Sequence, residues 1–423
     1  MRSETRPPPG RRERARDDRG HVLLAKSVRA VAYGALSAFL LLYLHDDLGL
    51  SLLWSLVLTS LTLIGAAGWS LLTVAPLEAR FGRRRTLSIF GGLFTASAIL
   101  LFVATSPWLV LFAVLLGGVG ASSADNGPLA AIDQALLPST LRSAERGRGF
   151  AWYNVIGNFG SAGGALLVAV PGALDPRSVP YLPNAPHPWI GLLYIALAAV
   201  TWWAYQGISP DVEPTGGEGR AAAGTAPLSP ETRGHTRALA VLFGLDAFAG
   251  GMVINPVLVA YFVLVWHQSA GTTGELLFVV GTVSGVSFLA ASSLAERFGL
   301  LPTMVFTHLP SNVMLALVPL MPTFPLAFGM LVARSGLSQM DVPTRQAYTM
   351  SLASRRERAA VASTLAGSRG AAQCVGPLPS TALQSAGLFG APFLIAGSLK
   401  VVYDLAVWRR FRRVATPEDD DDG

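Results

Sequence analysis

Apolar stretches of about 20 residues alternate with short polar connections along nearly the whole chain. A helix of that length crosses the ~30 Å hydrocarbon core of a lipid bilayer. The pattern therefore predicts an all-α membrane protein with twelve transmembrane helices. Their approximate spans are 22–45, 52–76, 86–105, 108–137, 150–171, 188–206, 238–266, 272–294, 302–321, 325–350, 358–381 and 390–408.

The polar segments predict how these helices are grouped. Residues 1–21 are rich in arginine and proline and predict a disordered basic tail. Residues 207–237, rich in glycine, proline, alanine and charge, favour a flexible linker between two six-helix bundles, 22–206 and 238–408. Residues 409–423 predict a second polar tail. Arginines crowd the tails, the linker and every second connection, while the other connections hold only Arg177. Because positive charge stays on the cytoplasmic side, both termini are predicted to be cytoplasmic.

A short turn after the second predicted span recurs after the eighth. The Leu-x-x-Arg-Phe-Gly pattern at Leu77–Gly82 returns 217 positions later at Leu294–Gly299. The same offset relates Arg29 to Asp246, and an offset of 212 relates Asp133 to Arg345. The two six-helix bundles are therefore predicted to be pseudo-symmetric copies of one unit.

Composition supports the membrane assignment and excludes several functions. The chain is 51% hydrophobic and 14% charged, with a net charge of +6 and mean hydropathy +0.47. Its arginines lie in tails and loops, which argues against a nucleic-acid partner. Cys374 is the single cysteine, and no metal-ligand spacing, nucleophile motif or phosphate-binding loop is present in the sequence. An enzyme is therefore not expected, nor is a cofactor, and an ATP-driven pump is excluded for this chain alone.

Six spans, a long loop, six more spans and the repeated turn resemble the major facilitator superfamily of secondary transporters. Its motif between spans 2 and 3 is matched by Leu77, Arg80, Gly82, Arg83 and Arg84, whereas Ala75 and Ala79 replace the motif's glycine and aspartate. The resemblance implies alternating access, with these turns forming a cytoplasmic gate. The missing aspartate implies a lock that is weaker or built differently.

The gate is predicted to contain two clamps of opposite polarity, Arg83 with Asp133 and Glu296 with Arg345. An alternative, in which these groups meet only water and lipid headgroups, stays open. The candidate gate residues are Arg80, Gly82, Arg83, Arg84, Asp133, Glu296, Arg297, Gly299 and Arg345.

Charged side chains inside a spanning helix cost ~2.5–3.5 kcal/mol each on insertion scales, so each requires a partner or a function. In the tenth span Arg334, Ser338, Asp341 and Arg345 recur on one helical face. Asp341 is the first candidate for a proton-coupling carboxylate, ahead of Asp246 and Asp125, and a permanent ion-pair network is the alternative. The candidate coupling and cavity residues are Asp341, Asp246, Asp125, Arg369, Arg334, Arg29, Tyr33 and Asn126.

The preferred hypothesis is a monomeric, proton-coupled exporter of a small amphipathic or toxic compound in a prokaryotic inner membrane. The alternative is an importer or uniporter of a polar metabolite, whose anionic group Arg334 and Arg369 would bind. A sensor or scaffold without transport is a third class.

Overall fold

The computed structural model describes residues 9–104, 106–116, 127–141, 146–169, 188–213, 228–354 and 357–414. These residues form sixteen α-helices, and they contain no β-strand. The helices are α1 Pro9–Leu42, α2 Leu52–Phe81, α3 Arg83–Val103, α4 Pro107–Leu116, α5 Pro128–Leu136, α6 Arg146–Leu167, α7 Pro188–Gln206, α8 Pro230–Gly251, α9 Asn255–Trp266, α10 Ala270–Phe298, α11 Leu300–Leu317, α12 Phe324–Ser338, α13 Asp341–Ser351, α14 Arg358–Val375, α15 Pro377–Ser385 and α16 Ala391–Phe411.

Six helical segments in this part of the chain are long and apolar enough to cross a membrane. They are Arg14–Asp47, Leu52–Phe81, Arg83–Val103, Pro230–Trp266, Leu300–Leu320 and Ala391–Phe411. Lipid offers no hydrogen bonds to the backbone, so a spanning segment must satisfy its own groups as these helices do. The prediction of an all-α membrane protein is confirmed.

Three of the predicted spans that the structure describes from end to end are each built from two helices. The span 238–266 breaks between Gly251 and Asn255, where Pro256 lies in the first turn of α9. The span 325–350 breaks at Gln339 and Met340, and the span 358–381 breaks at Gly376, just before Pro377 opens α15. Proline lacks the N–H that would continue the preceding helix, which explains the first and third breaks.

Residues 9–21 are helical, so the prediction of a disordered tail is wrong for them. They form the first part of α1, where Asp18 is only 2% exposed. The Asp18 carboxylate accepts hydrogen bonds of 2.7 Å from both the backbone N–H and the hydroxyl of Ser209. These hydrogen bonds stabilise the helix in residues 9–21, whose composition would otherwise favour disorder. The helix α8 likewise begins at Pro230, inside the predicted linker, and α16 continues to Phe411.

The chain divides into two compact units. The first contains the described residues of Met1–Leu36, Leu61–Gly164 and Pro186–Gly219, and the second contains those of Ser37–Ser60, Ala165–Ala185 and Arg220–Gly423. Within the first unit α3 packs against α7. Within the second, α8 packs against α14 and α16, and α11 packs against α12, α13 and α16. The second unit has an apolar core that includes Phe243, Met304, Tyr403, Val407 and Phe411.

Glycines allow a close helix crossing at equivalent positions of the two units. In the first unit, a Cβ on Gly34 would collide with the backbone of Ser161, and one on Gly164 with the backbone of Val31. In the second, Gly251 and Gly376, which the offsets of 217 and 212 relate to them, meet the backbone of α14 and α8 in the same way. Small residues let helix backbones approach within a bilayer.

The substitution Gly164→Ala should destabilise the protein by about 1–3 kcal/mol because the added methyl group forces α1 and α6 apart. Gly163→Ala on the same helix is the matched control, since its Cβ would have no neighbour within 4 Å. An alanine there also favours the helix, so the control should be neutral or stabilising. Unfolding temperatures of the two purified variants in detergent test this, and equal temperatures would contradict the close crossing.

Glu357 ties the start of α14 to the start of α8. Its carboxylate accepts hydrogen bonds from the backbone N–H of Ser229 at 2.6 Å, from the hydroxyl of Ser354 at 2.7 Å and from that of Thr232 at 3.2 Å. These bonds, led by that of the Ser229 N–H, lower the pKa of Glu357 from 4.5 to about 2. The ionised form therefore stabilises the fold.

A carboxylate with a lowered pKa contributes stability above its unfolded pKa and loses it as the pH falls toward the folded pKa. The stability difference between the wild type and Glu357→Gln should therefore be constant above 4.5 and shrink as the pH falls toward about 2. Detergent unfolding of both proteins across this window measures it. The control is Glu231→Gln, which replaces an exposed carboxylate in the first turn of α8. This variant should show no such trend.

Candidate functional site

Asp246 on α8 lies at the centre of a buried group of charges in the second unit. Its side chain is 4% exposed, and its Oδ2 lies 3.1 Å from Arg369 Nη1 and 3.4 Å from Arg345 Nη1. Its Oδ1 accepts a hydrogen bond from Lys400 Nζ and lies 3.8 Å from His308 Nε2. Four basic side chains from four helices thus surround one carboxylate. A buried carboxylate is stable only with such compensation.

Arg345 shares its guanidinium with a second carboxylate one helical turn away. Arg345 Nη1 donates to Asp341 Oδ2 at 2.6 Å, and the guanidinium lies 5.5 Å from the centre of the Phe243 ring. Asp341 is the first residue of α13, where the helix dipole also favours negative charge. Arg345 therefore links Asp341 to Asp246.

His308 on α11 links Asp246 to a third carboxylate. His308 Nδ1 lies 2.9 Å from Asp404 Oδ1, and Asn312 donates to Asp404 Oδ2 at 2.8 Å. The other ring nitrogen of His308 faces Asp246. An imidazole between two carboxylates can take a proton from one and release it to the other. We call the set Asp246, His308, Asp341, Arg345, Arg369, Lys400 and Asp404 the Asp246 cluster.

Arg334 on α12 lies beside this cluster without joining its hydrogen bonds. It is attracted electrostatically by Asp246 and Asp341. Its Nε is buried and has no hydrogen-bond partner among the described residues. Its charge is therefore compensated only at a distance.

The sequence pointed to much of this cluster and missed part of it. Asp246, Asp341 and Arg369 belong to the same group of charges, and Arg345, expected at the gate, contacts Asp246 and Asp341. Lys400 and Asp404 were overlooked, although two charges four residues apart in the apolar helix α16 were a visible signal. Asp125 and Asn126 lie outside the described residues.

The first unit contains a smaller and more deeply buried pair. Arg29 Nη2 donates to Asp133 Oδ2 at 2.8 Å, and both side chains are 0% exposed. Tyr205 and Tyr153 donate to the Asp133 carboxylate at 3.0 Å and 3.2 Å, and the Tyr205 hydroxyl also accepts from Arg29. Tyr33 is buried nearby on α1 and packs edge-on against Phe94 with 5.6 Å between ring centres.

The predicted clamps, Arg83 with Asp133 and Glu296 with Arg345, are wrong. Asp133 pairs with Arg29, and Arg345 pairs with Asp341 and Asp246. Arg83 instead lies 3.7 Å from Glu78, and Glu296 is exposed. The physical reason is depth, because Asp133 and Arg345 are buried inside their units whereas the turn residues lie at the surface.

The correct pairs are nevertheless equivalent in the two units, with their charges exchanged. Arg29 corresponds to Asp246 and Asp133 to Arg345 by the sequence offsets, and each unit joins its own two members in an ion pair. In the first unit neutral tyrosines complete the pair, whereas in the second further charges surround it. The repeat therefore conserves the contact between two helix positions and reverses its polarity.

The two repeated turns share one backbone geometry. Gly82 and Gly299 have φ of 80° and 86°, a conformation that side chains disfavour, and each caps the helix that follows. Arg80 and Arg297 are exposed, each lying over the phenylalanine that follows it, at 5.2 Å and 5.3 Å. At the first turn, Glu213 accepts hydrogen bonds from the backbone N–H groups of Arg83 and Arg84 at 2.8 Å and 3.1 Å. Glu213 thus brings a carboxylate to a turn whose motif position is occupied by Ala79.

Comparison with known proteins gives a consistent result. The sequence profile of the Major Facilitator Superfamily matches residues 22–377. An uncharacterised membrane protein of Saccharomyces cerevisiae is 23% identical over 412 residues, covering 89% of this chain and 90% of that protein. The crystal structure of a mutant of nucleoside transporter NupG matches with a TM-score of 0.70 at 13% identity. The match covers 93% of this chain and 100% of that one. The human organic anion transporter MFSD10 has a TM-score of 0.62 at 16% identity, covering 95% of this chain and 100% of that one.

Proposed function

Because the chain belongs to the Major Facilitator Superfamily, we propose that it is a proton-coupled secondary transporter that exports a small amphipathic or toxic compound. It works by alternating access as a monomer in a prokaryotic inner membrane, with both termini cytoplasmic. The solved structures that share its fold include a nucleoside transporter and an organic anion transporter, which supports transport as the activity.

The observation that carries the proposal is Asp246, a buried carboxylate that several cations compensate. Lys400, Arg369 and Arg345 reach it from three different helices. If a conformational change withdraws one of these cations, the neutral form of the buried carboxyl becomes favourable and a proton binds. When the cation returns, the proton leaves. This exchange couples proton movement to the change of conformation.

His308 and Asp404 supply a route for that proton. The imidazole faces Asp246 on one side and Asp404 on the other, at 3.8 Å and 2.9 Å. The imidazole therefore forms a continuous polar path between the two carboxylates. The group that accepts the proton is therefore Asp246 rather than Asp341, which was preferred from the sequence.

Growth of an efflux-deficient bacterial host on a panel of toxic compounds tests export. Cells that express the protein should survive compounds that kill cells with the empty vector. Those compounds should then discharge the proton gradient of inside-out membrane vesicles, measured with a pH-sensitive fluorescent dye. Protection without discharge would contradict proton coupling.

The second candidate is an importer or uniporter of a polar metabolite, and the excess of cations around Asp246 favours it. Uptake of labelled metabolites into liposomes that contain the protein tests it if no compound on the panel is tolerated. Failure of both assays would support a sensor or scaffold without transport.

A further inference from the structure

The Asp246 cluster and Arg334 together carry more positive than negative charge. Three carboxylates, Asp246, Asp341 and Asp404, lie with four lysine or arginine side chains, Arg334, Arg345, Arg369 and Lys400. His308 is left out of this count. At least one positive charge is therefore not matched by a carboxylate among the described residues.

The unmatched charge is best assigned to Arg334. Arg345, Arg369 and Lys400 each contact Asp246 directly, whereas Arg334 has only distant attraction from Asp246 and Asp341. Arg334 is half-buried, with its Nε fully buried, and a guanidinium partly withdrawn from water without a counter-ion is less stable than a paired one. An arrangement of this kind is stable in the presence of an anion that completes it.

Ser338 provides an independent sign of a missing ligand. It lies one helical turn after Arg334 on α12, so the two residues share a face of that helix. Ser338 is 6% exposed, and its hydroxyl has no hydrogen-bond partner among the described residues. Buried polar groups in folded proteins are almost always satisfied. Two hydrogen-bond donors on one face, one of them charged, are therefore left for an acceptor that is negatively charged.

Arg369 gives such an acceptor a way to reach the site. Its side chain is 29% exposed, compared with 9% for Arg345 and 8% for Lys400. It is thus the most accessible of the cations that contact Asp246. A soluble anion can therefore contact Arg369 before it reaches the more buried members of the cluster.

We propose that the substrate binds through a carboxylate or a phosphate group, held by Arg334 and Ser338 and first met by Arg369. This inference rests on the proposed function, because it names the substrate class of the same site. A cationic substrate would add to the unmatched charge, and a neutral one would leave it uncompensated. Guanidinium groups favour carboxylate and phosphate because their planar N–H groups match those oxygens.

A set of ligands with a common ring and different charge tests the substrate class. The purified full-length protein in a non-ionic detergent is mixed with benzoate, phenyl phosphate, benzyl alcohol or benzylamine, and its unfolding temperature is measured. Benzoate or phenyl phosphate should raise the unfolding temperature in a saturable manner, and the better of the two identifies the acidic group. Equal shifts with all four ligands, or no shift with either anion, would overturn the inference.

Arg334→Gln separates ligand binding from folding. Because this variant removes a partly buried charge that no carboxylate contacts, its unfolding temperature without ligand should equal or exceed that of the wild type. Its affinity for the anion should nevertheless fall roughly tenfold or more, since a charged hydrogen bond is lost. Arg409→Gln, at the exposed end of α16, should change neither quantity. Unchanged anion affinity in Arg334→Gln would contradict the assignment.

The outcome for this inference can be distinguished from the outcome for proton-coupled transport. If anion binding depends on Arg334 but the protein moves no protons, the proposed binding site is supported and proton coupling is contradicted. If only neutral or cationic compounds cause proton discharge, proton coupling is supported and the proposed anionic substrate class is contradicted.

Discussion

Replacing Asp246 by asparagine should abolish transport and strongly destabilise the second unit. The substitution leaves Lys400, Arg369 and Arg345 around a neutral side chain in a buried site. Removing one partner of a buried ion pair costs about 3–5 kcal/mol, because the remaining charge is uncompensated. Thermal unfolding in detergent and the rate of substrate-induced proton discharge in vesicles measure the two effects.

The double variant Asp246→Asn with Lys400→Met separates stability from coupling. It removes both a carboxylate and a cation that contacts it, so much of the lost stability should return. Transport should remain absent, since no carboxyl group is left at the centre of the cluster to exchange a proton. Restored transport in the double variant would show that Asp246 serves only to balance charge.

Replacing Asp133 by asparagine should have a comparable effect on the stability of the first unit. Arg29 and Asp133 are both 0% exposed, so the arginine left behind has no access to water. The expected loss is again about 3–5 kcal/mol. Adding Arg29→Met should recover part of it, because the uncompensated charge is then removed as well. The free energy of unfolding of the wild type, both single variants and the double variant measures this coupling.

An exposed ion pair of the same unit serves as the control. Arg14 lies 3.5 Å from Asp211, and their side chains are 65% and 37% exposed. Exposed pairs are typically worth at most about 1 kcal/mol, so Asp211→Asn should be nearly neutral. Independent, additive losses from Arg29→Met and Asp133→Asn would mean that the buried pair does not act as a unit.

The ion pairs Arg29–Asp133 and Asp246–Arg345 show what the sequence repeat can predict. The offsets of 217 and 212 relate Arg29 to Asp246 and Asp133 to Arg345 from the sequence alone. They could not show that each unit pairs its own two members, because a sequence offset aligns positions and does not state contacts. The depth of Asp133 and Arg345 in their units decided that question.

The Asp246 cluster also contains information that the sequence pattern does not carry. Asp341 and Asp246 were visible as costly charges in apolar helices, but nothing in the pattern ranked them by their number of partners. Within the described part of the chain, Asp341 has one close cation, Arg345, whereas Asp246 has three and a histidine. That ranking depends on which faces of α8, α11, α13, α14 and α16 meet.

Hydropathy and charge along the chain predict the all-α membrane fold and most of the charged residues that require an explanation. They do so because a bilayer admits only self-satisfied helices of a fixed minimum length and penalises each charge inside them. The helix break at residues 339–340, the helix at residues 9–21 and the partners of each charge are visible only in the tertiary structure. Those features depend on helix rotation and packing, and hydropathy along the chain carries no information about either.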